Sequence, residues 1–177
     1  YTPFPAPPPS TMKIFKDIFT EDELASDVYP VELEDDVILK FTTKLITRTE
    51  GNYDMAGDGG GEETYDSTST TVNNLVDAHK LVATDFTKKS YMTHIKDYMA
   101  RLLKKLEAEN PSRVPSFKKG AQGFVKKVIA DFDEYTFYQG EKMDIDNGMI
   151  VLSRYSEDGQ TPYFFMWKDG MIEEKYQ

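Results

Sequence analysis

Two apolar stripes of helical period, separated by Asn110-Pro111, set the terms for the rest of the chain. In the first, Tyr91, Ile95, Tyr98, Met99, Leu102 and Leu106 recur at intervals of three and four, which puts them on one face of a helix. Thr87 stands where an N-cap is needed, because its hydroxyl satisfies a free amide of the first turn. Proline disfavours helical backbone in the residue before it, so Asn110-Pro111 closes the segment. A second stripe follows at Phe117, Ala121, Phe124, Val125, Val128 and Phe132. Two amphipathic helices with a short connection predict an antiparallel helical hairpin over residues 87–131.

The flanking sequence reads as strands. From Met12 to Thr49 the runs MKIFKDIF, VILKFTT and KLITRT are short and apolar-rich, and residues 72–82, which include His79, read as a further strand. Near the C-terminus DNG (146–148), EDG (157–159) and KDG (168–170) place a glycine every eleven residues. Asn-Gly and Asp-Gly favour tight hairpin turns, so MIVLSRY and TPYFFMWK between them predict a β-meander. The fold class is α+β: a mostly antiparallel β body from residues 12–86 and 132–177, with the helical hairpin inserted. A chain of 177 residues, 39% hydrophobic, has material for one core.

Two segments stand apart. Residues 1–11 hold five of the nine prolines and precede a methionine. With no basic and apolar targeting pattern they read as an unstructured leader or an artificial extension, with Met12 as the natural start. A proline-rich ligand for a recognition domain is the lesser alternative. Residues 51–71 carry five glycines, five acids and no base, and such a segment cannot bury enough apolar surface to offset its ordering entropy. It is expected to be a flexible acidic loop. Its hydroxyls Ser67, Thr68 and Ser69 read either as solvated groups or as kinase targets.

Charge is unevenly divided. Residues 88–130 hold eleven bases against three acids, net +8, whereas the remainder holds ten bases and 28 acids, net −18, giving −10 overall. Fields of this size steer association rather than decide fold. Lys96, Arg101, Lys104 and Lys105 form a basic helical arm that is either a solvated face or a dock for an acidic surface such as a tubulin tail. An anionic membrane is a weaker candidate, because Asp97, Glu107 and Glu109 are interleaved. The acidic total argues against nucleic-acid binding, and no apolar run approaches the ~20 residues that span a bilayer.

No catalytic constellation emerges. There is no cysteine, which removes thiolate chemistry and Cys-ligated zinc and fits a reducing compartment, the cytoplasm being the expected location. His79 and His94 belong to no cluster with metal-ligand spacing. The GDGGG run lacks the Lys-Ser/Thr of a phosphate loop, and no nucleophile elbow appears. DIDNG (144–148) begins like a calcium loop, but its glycine comes at the fifth position and no glutamate closes it. A hairpin turn is the better reading, with no tightly bound cofactor and only weak Ca²⁺ binding by surface carboxylates left open. TEDE (20–23) has the form of a capping box, which would make Glu23 structural. A carboxylate offered to a partner's lysine is the sharper alternative.

The segments LVATDFTKKSYMTHIKDYM (81–99) and FDEYTFYQGEKMDIDNGMIVLSRYSEDGQTPYFFMWKDGMIEEKY (132–176) closely resemble the translationally controlled tumour protein family. MKIFKDIFTEDELASD and TRTEGN agree with its N-terminal part, so the likeness runs from Met12 to the end. It departs at GDGGGEET, where the family has a GGN-x-S-x-E wording, and at Gln139, where an apolar residue or threonine is more usual. The resemblance implies a β-tent-like body related to a guanine-nucleotide-release chaperone of Rab GTPases, with a projecting helical hairpin. It implies a non-catalytic regulator of growth and survival that binds a small Rheb-type GTPase, with Glu23, Leu81 and Glu141 matching the GTPase face. Calcium, tubulin, elongation factors and anti-apoptotic proteins are the family's other described partners, which makes a calcium-responsive cytoskeletal binder the alternative. A death-regulating motif proposed for the family falls on SDVYPVELEDDV (26–37), where Pro30 argues against a continuous helix. The fold group also includes methionine sulfoxide reductases, but their chemistry needs a cysteine that is absent here.

Overall fold

Strand β10 (Pro162–Trp167), PYFFMW, is apolar at nearly every position because both of its faces are covered. Alternation then sends Phe165 and Trp167 to one side and Phe164 and Met166 to the other. It is an inner strand of a six-stranded antiparallel sheet in the order β3-β4-β10-β9-β8-β7. The partners are β3 (Val31–Glu34), β4 (Ile38–Thr42), β7 (Val82–Thr84), β8 (Thr136–Gln139) and β9 (Val151–Tyr155). A second sheet, in the order β11-β1-β2, is built from β1 (Met12–Asp17), β2 (Glu23–Ser26) and β11 (Met171–Tyr176). Strands β5 (Leu45–Thr49) and β6 (Ser69–Asn73) form a separate ribbon. The computed structural model describes residues 12–49 and 69–176. The leader 1–11 and most of the acidic segment, with Ser67 and Thr68, lie outside the described residues.

The expected hairpin is helix α2 (Lys88–Glu109) and helix α3 (Val114–Ala130); a shorter helix, α1 (Asn74–His79), precedes them. Thr87 caps α2 as its sequence predicts: its Oγ1 accepts from the Ser90 amide at 3.0 Å, and the Ser90 hydroxyl accepts from the Thr87 amide at 2.9 Å. The hairpin does not project. It lies across one face of the large sheet, with Phe124 between Phe165 and Trp167 at centroid distances of 5.9 and 5.4 Å. Tyr91 meets Phe137 at 5.3 Å. On the opposite face of that sheet the smaller sheet supplies Phe15, edge-on to Phe41 at 5.6 Å. Gly120 is required where α3 crosses the β3–β4 turn, since a methyl group there would collide with the Asp35 carbonyl and the Val37 side chain.

The structure corrects several local expectations. Residues 72–82 are not one strand. Asn73 ends β6 and caps α1, its carboxamide oxygen accepting from Leu75 and Val76 amides at 2.9 and 3.1 Å, so His79 sits in a helix. Ser69–Thr71, expected in the loop, belong to β6. Of the three glycine turns only Gly159 takes positive φ, at 75°, and it closes the six-residue β9–β10 connection. Gly148 lies in the long β8–β9 connection, and KDG forms a 3₁₀ turn that carries the chain from β10 into the other sheet.

Candidate functional site

Glu23, Leu81 and Glu141 come from three elements that one corner of the body gathers together. The organising residue is Asp17 at the end of β1. Its carboxylate is buried and accepts from the amides of Phe19 at 2.8 Å, Thr20 at 3.4 Å and Met149 at 2.7 Å. Burial raises its pKa, and these three amides pull it partly back. The turn that follows returns the chain to Asp22, whose carbonyl accepts from the Asp17 amide at 2.9 Å. Glu21 takes left-handed backbone at φ 67° to make this possible. No helix begins here, so TEDE is not a capping box; the Thr20 hydroxyl instead accepts from the Asp22 amide at 3.2 Å within the turn.

Asp22, also buried, then fastens the second element. Both of its carboxylate oxygens lie 3.3 Å from the Lys142 amide, and the Lys142 ammonium donates to the Thr20 carbonyl. The Asp22 carboxylate fills the space a side chain at position 140 would need, so Gly140 admits no substituent. Glu141 lies between these two fastened residues and is exposed.

The third element enters through α1. Lys80, left-handed at φ 57°, ends the helix and turns the chain to Leu81 and β7. The β7–β8 register pairs Val82 with Gln139, so one step further Leu81 runs beside Gly140. Leu81 is only 6% exposed and packs in the core beneath the corner. Glu23 opens β2 with its side chain 46% exposed, and its Oε2 lies 3.8 Å from His79 Nδ1. That separation is longer than an ordinary hydrogen bond, so the contact is weak and gains most from protonation of the imidazole. Burial holds the His79 pKa below its ordinary value, and the Glu23 charge partly offsets this.

The basic arm divides into used and unused charge. Arg101 is a fastener: its guanidinium donates to the Asn147 and Asp146 carbonyls at 2.9 and 3.0 Å and lies over the Phe19 ring at 4.8 Å. Lys105 pairs with Glu109 at 3.0 Å along α2. Lys96 and Lys104 have no carboxylate partner among the described residues. DIDNG is an arginine-bound turn in which Asp144 also accepts from the Asn147 amide at 3.2 Å. Among the described residues no three His, Cys, Asp or Glu side chains are grouped to hold a metal ion. No helix among them is long and apolar enough to cross a membrane.

The translationally controlled tumour protein family model matches residues 12–172. The chain belongs to that family. The homologue of this tumour protein from Schizosaccharomyces pombe is 43% identical over 169 residues, covering 93% of this chain and all of its own. The Xenopus laevis homologue is 45% identical over 172 residues, with 93% and 99% covered. The solved structure of the S. pombe tumour-associated protein p23fyp superposes with a TM-score of 0.80 at 43% identity, covering 93% and 99% of the two chains. The α+β architecture with an inserted helical hairpin, expected from the residue pattern, matches the fold of that solved relative.

Sequence reasoning named Glu23 and Glu141 through the resemblance but missed what holds them. Asp22 was legible only as one acid among several in TEDE, and its partner at Lys142 lies 120 residues away. Arg113 was equally silent. It ties the hairpin connection to the body through Asp169 at 2.9 Å and Asp36 at 2.6 Å.

Proposed function

We propose that the chain is a non-catalytic regulatory protein of the cytoplasm that promotes growth and survival by binding a small Rheb-type GTPase through this corner of the β body. The observation that carries the reading is the pairing of Glu23 and Glu141 as exposed carboxylates on backbone that buried Asp17 and Asp22 hold rigid. A pre-set acidic surface binds without paying ordering entropy at the moment of contact. The chemistry suits a nucleotide-release role. When a GTPase loses its nucleotide, the phosphate-loop lysine loses its anionic partner, and a rigid carboxylate is a stand-in. Preferential binding to that empty state shifts the exchange equilibrium by linkage and needs no covalent step.

The test is binding of a nucleotide-free Rheb-type GTPase by calorimetry, with Glu23→Ala and Glu141→Ala beside wild type. Each variant is expected to lose about tenfold in affinity, in line with truncating an interfacial charge, while melting nearly as wild type. Unchanged affinity in both would remove the reading. A Leu81 variant is no test, because truncating this buried side chain weakens the fold itself by ~2–5 kcal/mol.

A second reading rests on Lys96 and Lys104, exposed and without carboxylate partners among the described residues: salt-sensitive docking to acidic surfaces such as tubulin tails. Any calcium response on this reading comes from weakly binding surface carboxylates. Co-sedimentation with microtubules, weakened by salt and by charge reversal at Lys104, checks it.

A further inference from the structure

Between α2 and α3 runs a groove of about 840 Å³ whose lining, among the described residues, comes from those two helices. Since Phe124 and Tyr91 turn toward the sheet and do not line it, the groove opens on the other side of the hairpin, with buried Ile95, Phe117 and Ala121 at its floor. Its walls are Met92, Met99, Leu103 and Val125, each only partly buried. Its charged residues are Lys96, Lys118 and Lys126, and all three are exposed without a carboxylate partner among the described residues. No acid lines it. A second cavity of about 780 Å³ beside Lys40 and Arg154 is different in kind, because Glu34, Asp131, Glu157 and Asp158 already balance its cations.

We propose that the hairpin groove docks an amphipathic helix of a partner protein whose polar flanks are acidic. An extended acidic tail would meet the lysines and leave the apolar walls wet, whereas a basic helix would be repelled. Two antiparallel helices offer ridges between which a third helix seats. From Met92 to Leu103 the groove spans twelve residues, roughly 16 Å at the helical rise, or three turns of a partner. That length takes anchors at i, i+3 or i+4, and i+7. The methionine thioethers let the walls adapt to anchors of different shape. This inference extends the reading of the basic hairpin, and the two can fail separately: charge docking alone needs no apolar anchor.

The probe is a synthetic 20-residue leucine/glutamate peptide patterned as an amphipathic helix, followed by fluorescence anisotropy on the full chain. Comparators are a scrambled peptide of equal composition, polyglutamate of equal length, and phosphatidylglycerol-containing vesicles. The patterned peptide is expected to bind at least tenfold more tightly than the scrambled one. Met99→Glu and the triple change Lys96→Glu, Lys118→Glu, Lys126→Glu should each lose at least tenfold. ¹³C-methyl spectra of the wild type should show Met92 and Met99 shifting on addition of the peptide, which decides the matter even where a variant folds poorly. Equal binding of scrambled peptide or polyglutamate would overturn the groove while leaving charge docking intact. Silent Met92 and Met99 methyls, or binding to vesicles without binding to the patterned peptide, would overturn it as well.

Discussion

The helical hairpin and the Glu23–Glu141 corner carry opposite charge and spend it differently. On the hairpin the charges nearest the body are structural: Arg113 reaches Asp36 and Asp169, Lys127 reaches Asp35 at 2.7 Å, and Arg101 reaches two carbonyls of the β8–β9 connection. Lys96, Lys104, Lys118 and Lys126 are left over on the outer side. At the corner the division runs by depth within one short turn. Asp17 and Asp22 are buried and consumed by backbone amides, whereas Glu23 and Glu141 remain outside. A charge is available to a partner only when the fold has no amide or counter-ion to give it. Residue type alone decides nothing. The net values of +8 and −18 therefore overstate the field either surface offers, because part of each cancels where the hairpin lies on the body.

This contrast orders the expected effects on stability. Phe124→Ala, removing a fully buried ring between Phe165 and Trp167, should cost about 3–5 kcal/mol in chemical denaturation. A cost under about 1 kcal/mol would mean that the hairpin is not seated on the sheet. Arg113→Ala removes the clamp between the helix connection and the body and should cost roughly 2 kcal/mol, the scale of lost charge-assisted hydrogen bonds. Unchanged stability would return Arg113 to the unused class.

At the corner the effect is smaller and depends on pH. Because burial lowers the His79 pKa from 6.5, the unfolded chain takes up that proton first as pH falls. The contribution of His79 to stability is therefore intact above about pH 6.5 and declines on acidification below it. Glu23→Gln removes the charge that raises this pKa, so His79 should titrate still lower and the acid loss should deepen. NMR titration of the imidazole checks this direction, and a higher His79 pKa in the variant would break the account. Smallest of all, Lys104→Glu with Lys105→Glu should leave unfolding within ~0.5 kcal/mol of wild type, as for exposed side chains without tertiary partners. A larger loss would show that the outer charge is structural too.

The hairpin was fully legible because its signals are local: two stripes of period three and four, the Thr87 cap and the Asn110-Pro111 break each lie within a few residues. The strands of β1, β4 and β5 were legible for the same reason. Residues 72–82 misled because a six-residue helix is too short to display a period, and only the Asn73 cap marks it. KDG misled because the same residues close a tight turn or a 3₁₀ bend according to where the next strand finds its partner. Here β11 pairs with β1, across nearly the whole chain. TEDE misled because a hydroxyl that caps a helix serves equally well inside a turn.

Sequence by itself determined the helical hairpin and the strands β1, β4 and β5, the sign of each surface and, through its likeness to a family, which carboxylates to watch. Tertiary structure alone decided that the hairpin lies on the body, that Leu81 is interior, and which acids and bases remain free. The physical reason is range. Helical period, caps and proline breaks act within a turn or two of chain, whereas burial and ion pairing depend on groups such as Asp22 and Lys142 that only the folded chain brings together.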